Sequence, residues 1–531
     1  MFGIDDSNRR WWTLAGACAG LFVLMLDSTV INLALPRIQH DLDSSAAELQ
    51  WIPNAYLLTI AAFVVTGGRL GDIRGRKRVF QLGLAIFAAG SVLSALAPGM
   101  ETLIAGRVVQ GLGAAALLPL SLALVSDAFG DDEQARAMGI WAAVSSLALA
   151  VGPLLGGVVV ELDWRLLFWV DVPVLGAGLA VIAAAATESR DEGTAQRIDW
   201  PGLALLAVGL TCLVLPLVQA GEWGWGSPKT LVVLGVAVPV LAGFVVVEQR
   251  SANPIVELSL FRNGPYFGAT AAAFCLVGAY WSLMYFEALY LQNVLDHSPG
   301  VAGLLILPIT LPMIVLSPLA GGLIARFGSR ALMTFGMCSG VAGLLLVTFT
   351  GEDTGYALQL PAFLLFGVAL GLVYAPMSAA AMVAMPRAKA GIASGVLAMN
   401  RVAAGAIGLA ATGAVFTALQ ADKIGELIDA RAGGVGPSDL GELDGLLSGS
   451  ETARGALQGF TVTQQDALTG AARDAFSYAM AGSFWIMVGL VAVGAALTWA
   501  FVRDPEPAGE PAPSPEPGEL RHHMHHRRFH L

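Results

Sequence analysis

The sequence predicts an all-α integral membrane protein: two six-helix bundles plus two inserted helices, about fourteen transmembrane helices in all. Three observations predict it. Hydrophobic residues fill 56% of the 531 positions and charged ones only 13%, with a mean hydropathy of +0.69, against roughly 25% charged residues in a soluble domain. About fourteen apolar runs each approach the roughly 20 residues that a helix needs to cross the ~30 Å hydrocarbon core. A short pattern also recurs, GGRLGDIRGRKR at 67–78 being echoed by GGLIARFGSR at 321–330, as repeated halves are in transporters. This composition excludes a soluble enzyme. The absence of a basic face beyond one loop cluster excludes a nucleic-acid binder.

The runs lie near 11–33, 50–70, 78–97, 101–125, 137–160, 166–187, 199–219, 229–248, 267–292, 300–325, 331–350, 357–384, 391–419 and 476–502. No small-residue cleavage site and soluble domain follow the first run, so it reads as a spanning helix and not as a signal peptide. With the N-terminus in the cytoplasm, the cluster Arg74, Arg76, Lys77 and Arg78 falls inside, whereas the external turns 98–101, 293–299 and 351–356 carry no Lys or Arg. That is the positive-inside pattern. An even number of crossings returns the C-terminus to the cytoplasm. Trp11, Trp12, Trp51, Trp164, Trp223, Trp225 and Trp499 stand near run ends as interfacial anchors would, and GEWGWG at 221–226 reads as an external turn.

The expected organisation is an N-terminal six-helix bundle over 1–190, an inserted helix pair with linkers over 191–262, and a C-terminal six-helix bundle over 263–502. The last includes a Gly- and acid-rich external loop at 420–475, in which stretches such as DKIGELIDA are expected to form short helices; the loop reads as a solvated connector more readily than as a gate or a partner surface. The tail, 503–531, begins Pro- and Glu-rich and ends in RHHMHHRRFHL. It reads as a disordered cytoplasmic end more readily than as a metal site. The net charge of −11 says little about partners, because the acids gather in that loop and tail. Cys18, Cys212, Cys275 and Cys338 all lie in apolar runs and read as small core residues. They offer neither a disulfide framework nor a metal site.

Charges inside these runs need an explanation, because an ionised group in hydrocarbon costs several kcal/mol unless it is paired or solvated. Asp27 sits in FVLMLDSTVINLALP, 22–36, too deep to reach the interface, so it faces the bundle interior. It either exchanges a proton for a cation or simply pins its helix to its neighbours. Arg107 keeps its charge at any accessible pH and needs a partner. Asp27 is one candidate, and an outward-snorkelling structural role is the alternative. Asp171 in WRLLFWVDVPV and Glu287 in MYFEALYLQ lie in outer parts of their runs, where water is expected to solvate them. Arg401 in LAMNRVAAGAIG is near mid-run, which implies an acidic partner or a cavity.

Four motifs give the chain its resemblance to the major facilitator superfamily, and within it to the fourteen-helix drug:proton antiporters, over nearly all of 11–502. LDSTVINLALPRI, 26–38, resembles the first-helix motif, whose transport acid would be Asp27. GRLGDIRGRKRVF, 68–80, resembles the signature loop between helices two and three, matched at Gly68, Leu70, Asp72, Gly75, Arg76 and Lys77. It implies a cytoplasmic latch in which the glycines permit a tight turn. The second half has Ala325 where the first has Asp72. RVVQGLGAAAL, 107–117, resembles the fourth-helix motif whose arginine is linked to proton transfer, here Arg107. GIWAAVSSLALAVGPLLGG, 139–157, resembles the antiporter motif, with Gly139, Gly152, Pro153, Gly156 and Gly157 in place and Ala148 where a glycine is frequent. Asp171 stands where the family commonly has asparagine.

The resemblance implies a proton-coupled exporter of organic, lipophilic or cationic compounds, working by alternating access in the bacterial inner membrane. Asp27, Arg107, Asp171, Glu287 and Arg401 would be its coupling residues. No cofactor and no metal are expected: the proton gradient would drive transport, and the chain has no GxxxxGK[ST] phosphate loop. Its partners would be a small molecule, protons and the bilayer, with the monomer as the working unit. Two alternatives stand beside this: a dedicated exporter of one endogenous metabolite or antibiotic, and a transport-inactive receptor or scaffold.

Overall fold

The computed structural model describes residues 5, 8–129, 131–190, 198–351, 354–383, 390–431 and 461–503, and among them there is no strand. Among the described residues fourteen helices are long and apolar enough to cross a membrane. They are α1 (Arg9–Leu42), α2 (Ala46–Arg74), α3 (Arg76–Ala95), α4 (Met100–Ala128), α5 (Asp131–Leu162), α6 (Arg165–Ala185) and α7 (Trp200–Trp223). Then follow α8 (Pro228–Arg250), α9 (Gly264–Leu289, continued by a π turn Tyr290–Val294), α10 (Pro299–Ile306, continued past a 3-10 turn at Leu307–Ile309 by 311–327), α11 (329–347), α12 (Gly355–Val383), α13 (Ala390–Arg431) and α14 (Val462–Phe501).

Local chemistry sets several starts. Ser45 with Glu48, and Thr461 with Gln464, form reciprocal capping boxes. Asp199, Ser227, Asn263 and Ser298 each accept a first-turn backbone N–H from the N-cap, followed by a proline in the first turn. The repeated glycine pattern has a structural counterpart. Gly75 (φ 114°) separates α2 from α3, and Gly328 (φ 78°) separates α10 from α11. Both occupy backbone conformations that a Cβ disfavours.

In the first bundle α1 packs on α4, α5 and α6, while α3 packs on α4 and α6 and α2 on α4. In the second, α9 packs on α12, α13 and α14, and α11 on α12 and α14. The inserted helices pair with each other; α7 also touches α2 and α13, while α8 presents apolar side chains such as Val232 and Val238 outward. The bundles meet along α2 with α13 and α5 with α10. They approach closely at the end opposite the 68–78 turn. A Cβ on Gly303 would stand 2.2 Å from Pro153 O, one on Gly157 2.5 Å from Pro299 O, and one on Gly413 2.2 Å from Gln50 Oε1.

Three sequence expectations change. Much of the 420–475 loop is helix: DKIGELIDA continues α13 to Arg431, and α14 begins at Val462. Trp164 is fully buried and donates Nε1–H to Asp41 Oδ2 (3.1 Å), because its ring fills the bundle where a shorter residue would leave a void. It is no interfacial anchor. Cys18 and Cys275 are buried, but Cys338 is exposed on the outer face of its helix. The remainder of that loop and the histidine-rich tail lie outside the described residues.

Candidate functional site

Asp27 and Arg107, 80 positions apart, meet inside the first bundle. Arg107 Nη1 lies 2.7 and 2.8 Å from the two Asp27 carboxylate oxygens, with the side chains 1% and 3% exposed. Other parts of the guanidinium are engaged as well. Nε donates to the Ile52 carbonyl (3.2 Å), Nη1 also reaches Gln110 Oε1 (2.8 Å), and the Tyr56 ring lies beneath with its centroid 4.3 Å from Cζ. Arg107 is thus an inward-facing ion-pair member and not a snorkelling residue.

The network continues through residues that the sequence reading passed over. Gln110 follows Arg107 by three, so both project from one face of α4. Gln110 Nε2 donates to Ser91 Oγ (2.9 Å), and Ser91 donates to Asp171 Oδ2 (3.3 Å). Small residues bring these helices together: a Cβ on Gly90 of α3 would lie 2.5 Å from Gln110 N, and one on Gly106 of α4 2.3 Å from Ser94 Oγ. Asp171 is therefore buried and joined to the ion pair, contrary to the expectation of a solvated acid at the outer end of its helix. The α3–α6 contact covers it.

Glu287 is corrected in the same sense. It is fully buried and accepts from Gln359 Nε2 of α12 (2.8 Å), while its Oε1 has no donor among the described residues, because α12 and the chain around Tyr356 close over it. It stands in the second bundle, apart from the other four groups. Arg401 is half-buried. Its partner is the ring of Tyr374, 5.0 Å to the centroid, in place of the expected acid. A guanidinium is weakly hydrated and stacks well on aromatic faces, so the ring serves.

The 68–78 turn is tied by charge. Arg76 pairs with Asp72 (2.8 Å) and with Asp127 at the end of α4 (2.6 Å); Ser189 Oγ donates to Asp127; Glu188 accepts from the Lys77 backbone N–H (3.1 Å). Lys77 Nζ caps the Ala183 carbonyl (2.9 Å), and Gly68 packs on Pro119. Asp127 and Glu188 belong to this cluster, and no spacing signal announced them. Of the α5 motif, Gly152 lies against Thr29, Gly156 against Val30, Gly157 against Pro299 and Pro153 against Gly303. Gly139 is the exception: it is exposed, with nothing near the place of a Cβ, so it makes no close helix contact. Among the described residues no group of three or more His, Cys, Asp or Glu is placed to hold a metal ion.

Comparisons with known proteins agree with this architecture. The profile described as Major Facilitator Superfamily matches residues 17–409. The chain is 37% identical over 408 residues to the multidrug resistance protein Stp of Mycobacterium tuberculosis, covering 76% of each. It is 33% identical over 507 residues to the tetracenomycin C resistance and export protein of Streptomyces glaucescens, covering 94% of this chain and 93% of that one. In fold it resembles the crystal structure of a bacterial homologue of the human lysosomal transporter Spinster, inward-facing and unoccupied. The TM-score is 0.64 at 16% identity, over 95% of this chain and 100% of that one. The chain belongs to the major facilitator superfamily, where its relatives are multidrug and antibiotic resistance exporters.

Proposed function

We propose that the protein is a proton-coupled efflux transporter that carries organic, lipophilic or cationic compounds out across the bacterial inner membrane. The observation that carries this reading is the buried ion pair between Asp27 and Arg107, 2.7 Å apart in the interior of an apolar bundle. Breaking such a pair by removing one member strands a buried charge, which costs several kcal/mol. A fold that retains it therefore has a use for a carboxylate able to change partners. In the proposed cycle a cationic substrate competes with Arg107 for Asp27, and a proton restores the resting state. The two bundles, 1–190 and 263–502, rock about the site with 191–262 between them. Asp72, Gly75, Arg76 and Lys77 act as the cytoplasmic latch, and Gly152, Pro153, Gly156 and Gly157 as the seam on which α5 moves. Glu287 and Arg401 are further coupling groups in the second bundle. Both termini are cytoplasmic, the monomer is the transport unit, and the proton gradient supplies the energy without a cofactor or ATP.

The test is proton-gradient-driven uptake of a fluorescent cationic drug into inverted vesicles, comparing wild type with Asp27→Asn at matched protein levels. We expect transport to be abolished. Undiminished transport would remove Asp27 from the coupling role. A second reading, export of a single antibiotic, is favoured by the near full-length similarity to a tetracenomycin C export protein. Growth protection across a panel of unrelated compounds separates the two, because a dedicated exporter protects against one chemical class only.

A further inference from the structure

The Asp27 network contains two carboxylates and one guanidinium, all buried and joined without a break by hydrogen bonds. Were both acids ionised, the cluster would hold a net charge of about −1 in an apolar interior, which is the costly case. The two acids are not equivalent. Asp27 receives Arg107 on both oxygens at 2.7 and 2.8 Å, whereas Asp171 receives one hydroxyl at 3.3 Å and no cation. The donors also run one way. Arg107 donates to Gln110 Oε1, Gln110 Nε2 donates to Ser91 Oγ, and Ser91 Oγ donates to Asp171. Asp171 is the terminal acceptor of a chain that starts at the ion pair.

Among the described residues, no other counter-charge contacts Asp171. The helices packed on α6 are α1, α3 and α5. From α1 comes Asp27 and from α3 the neutral Ser91; on α5, Glu161 is engaged with Ser298 and Gly300, while at the far end of that helix Glu133 pairs with Arg10 and Arg136 lies over the Trp11 ring. Beyond them stand Arg107 from α4, already paired, and the Tyr56 ring from α2.

We infer that Asp171 is a proton-binding site: it carries the exchanged proton while Asp27 remains the ionised anchor for Arg107 or for a cationic substrate. This rests on the proposed cation exchange at Asp27. The charges balance. At rest the cluster is Asp27⁻, Arg107⁺ and protonated Asp171. Entry of a monovalent cation beside Asp27⁻ is matched by loss of H⁺ from the Asp171 carboxyl to the aqueous side that the site then faces. The site stays neutral in both states, and cation and proton are held by different carboxylates.

The experiment uses the full-length purified protein in lightly buffered detergent, with ethidium as the probe and a pH indicator to count protons released per dye bound. Wild type is expected to release about one proton per ethidium near neutral pH. Asp171→Asn should bind ethidium and release none, and Asp171→Glu should restore release. Release from Asp171→Asn equal to wild type would overturn the inference while leaving Asp27 as the cation site. Ethidium binding by Asp27→Asn as tight as wild type, or none by wild type, would overturn the cation reading and this inference with it. Should Asp171→Asn not reach the membrane, infrared difference spectra of wild type decide. Loss of a protonated-carboxyl C=O band on dye binding, shifted in Ser91→Ala, supports the assignment, and its absence sinks it.

Discussion

Arg107 is among the largest fully buried side chains of the molecule, and it holds contacts to Asp27, Gln110, the Ile52 carbonyl and the Tyr56 ring at once. A lysine offers a point charge with no planar fork and cannot meet them together. Arg107→Gln should destabilise the protein by about 3–5 kcal/mol, since Asp27 is left buried and uncompensated. The double variant Asp27→Asn with Arg107→Gln removes both charges and should recover a large part of that loss. Thermal unfolding of the three variants in detergent reads this directly, and strictly additive effects would argue against a coupled pair. At this scale the sequence named Asp27 and Arg107, because a charge in an apolar run stands out. Ser91 and Gln110 did not stand out: small polar residues are ordinary in membrane helices, and only the α3–α4 contact makes them a bridge.

At the scale of elements, two glycines of the recognised motifs carry opposite expectations. Gly75 has φ 114° and its Cβ would lie 2.5 Å from Glu188 Oε1. Gly75→Val should cost roughly 1–3 kcal/mol from the backbone alone, and lower the melting temperature accordingly. Gly139 lies exposed in α5 with nothing within 4 Å of a Cβ. Gly139→Ala should be neutral within about 0.5 kcal/mol or slightly stabilising, with transport unchanged. A marked transport defect in Gly139→Ala would show that the glycine matters in a state other than this one. The charged partners of the turn were less legible. Asp127 and Glu188 lie 51 and 111 positions from Arg76 and Lys77 respectively, and no local periodicity links them.

For the whole molecule, the seam between bundles is the feature that transport must open. Glu161 Oε1 of α5 accepts from Ser298 Oγ at 2.9 Å and from the Gly300 backbone, so this end is held together across the two bundles. The alternating-access reading requires these residues to separate in each cycle. A double variant Glu161→Cys with Ser298→Cys, oxidised to the disulfide, should lose transport in vesicles and regain it on reduction. Oxidised protein that transports at the wild-type rate would mean that this contact need not open.

The sequence by itself determined the class and the number of spans, because hydrocarbon forces about 20 apolar residues into each crossing. It also exposed the repeat, because the tight turns at Gly75 and Gly328 require the same residue type in both halves. Tertiary structure alone decided which charges meet. Asp171 and Glu287 looked alike on the chain, each an acid in the outer part of a helix. Packing joined Asp171 to Asp27 through α3 and α4, and sealed Glu287 against Gln359 in the other bundle. The physical reason is rotation: hydropathy records how deep a residue lies in the bilayer, but the neighbour it faces depends on the azimuth and register of helices far apart in sequence.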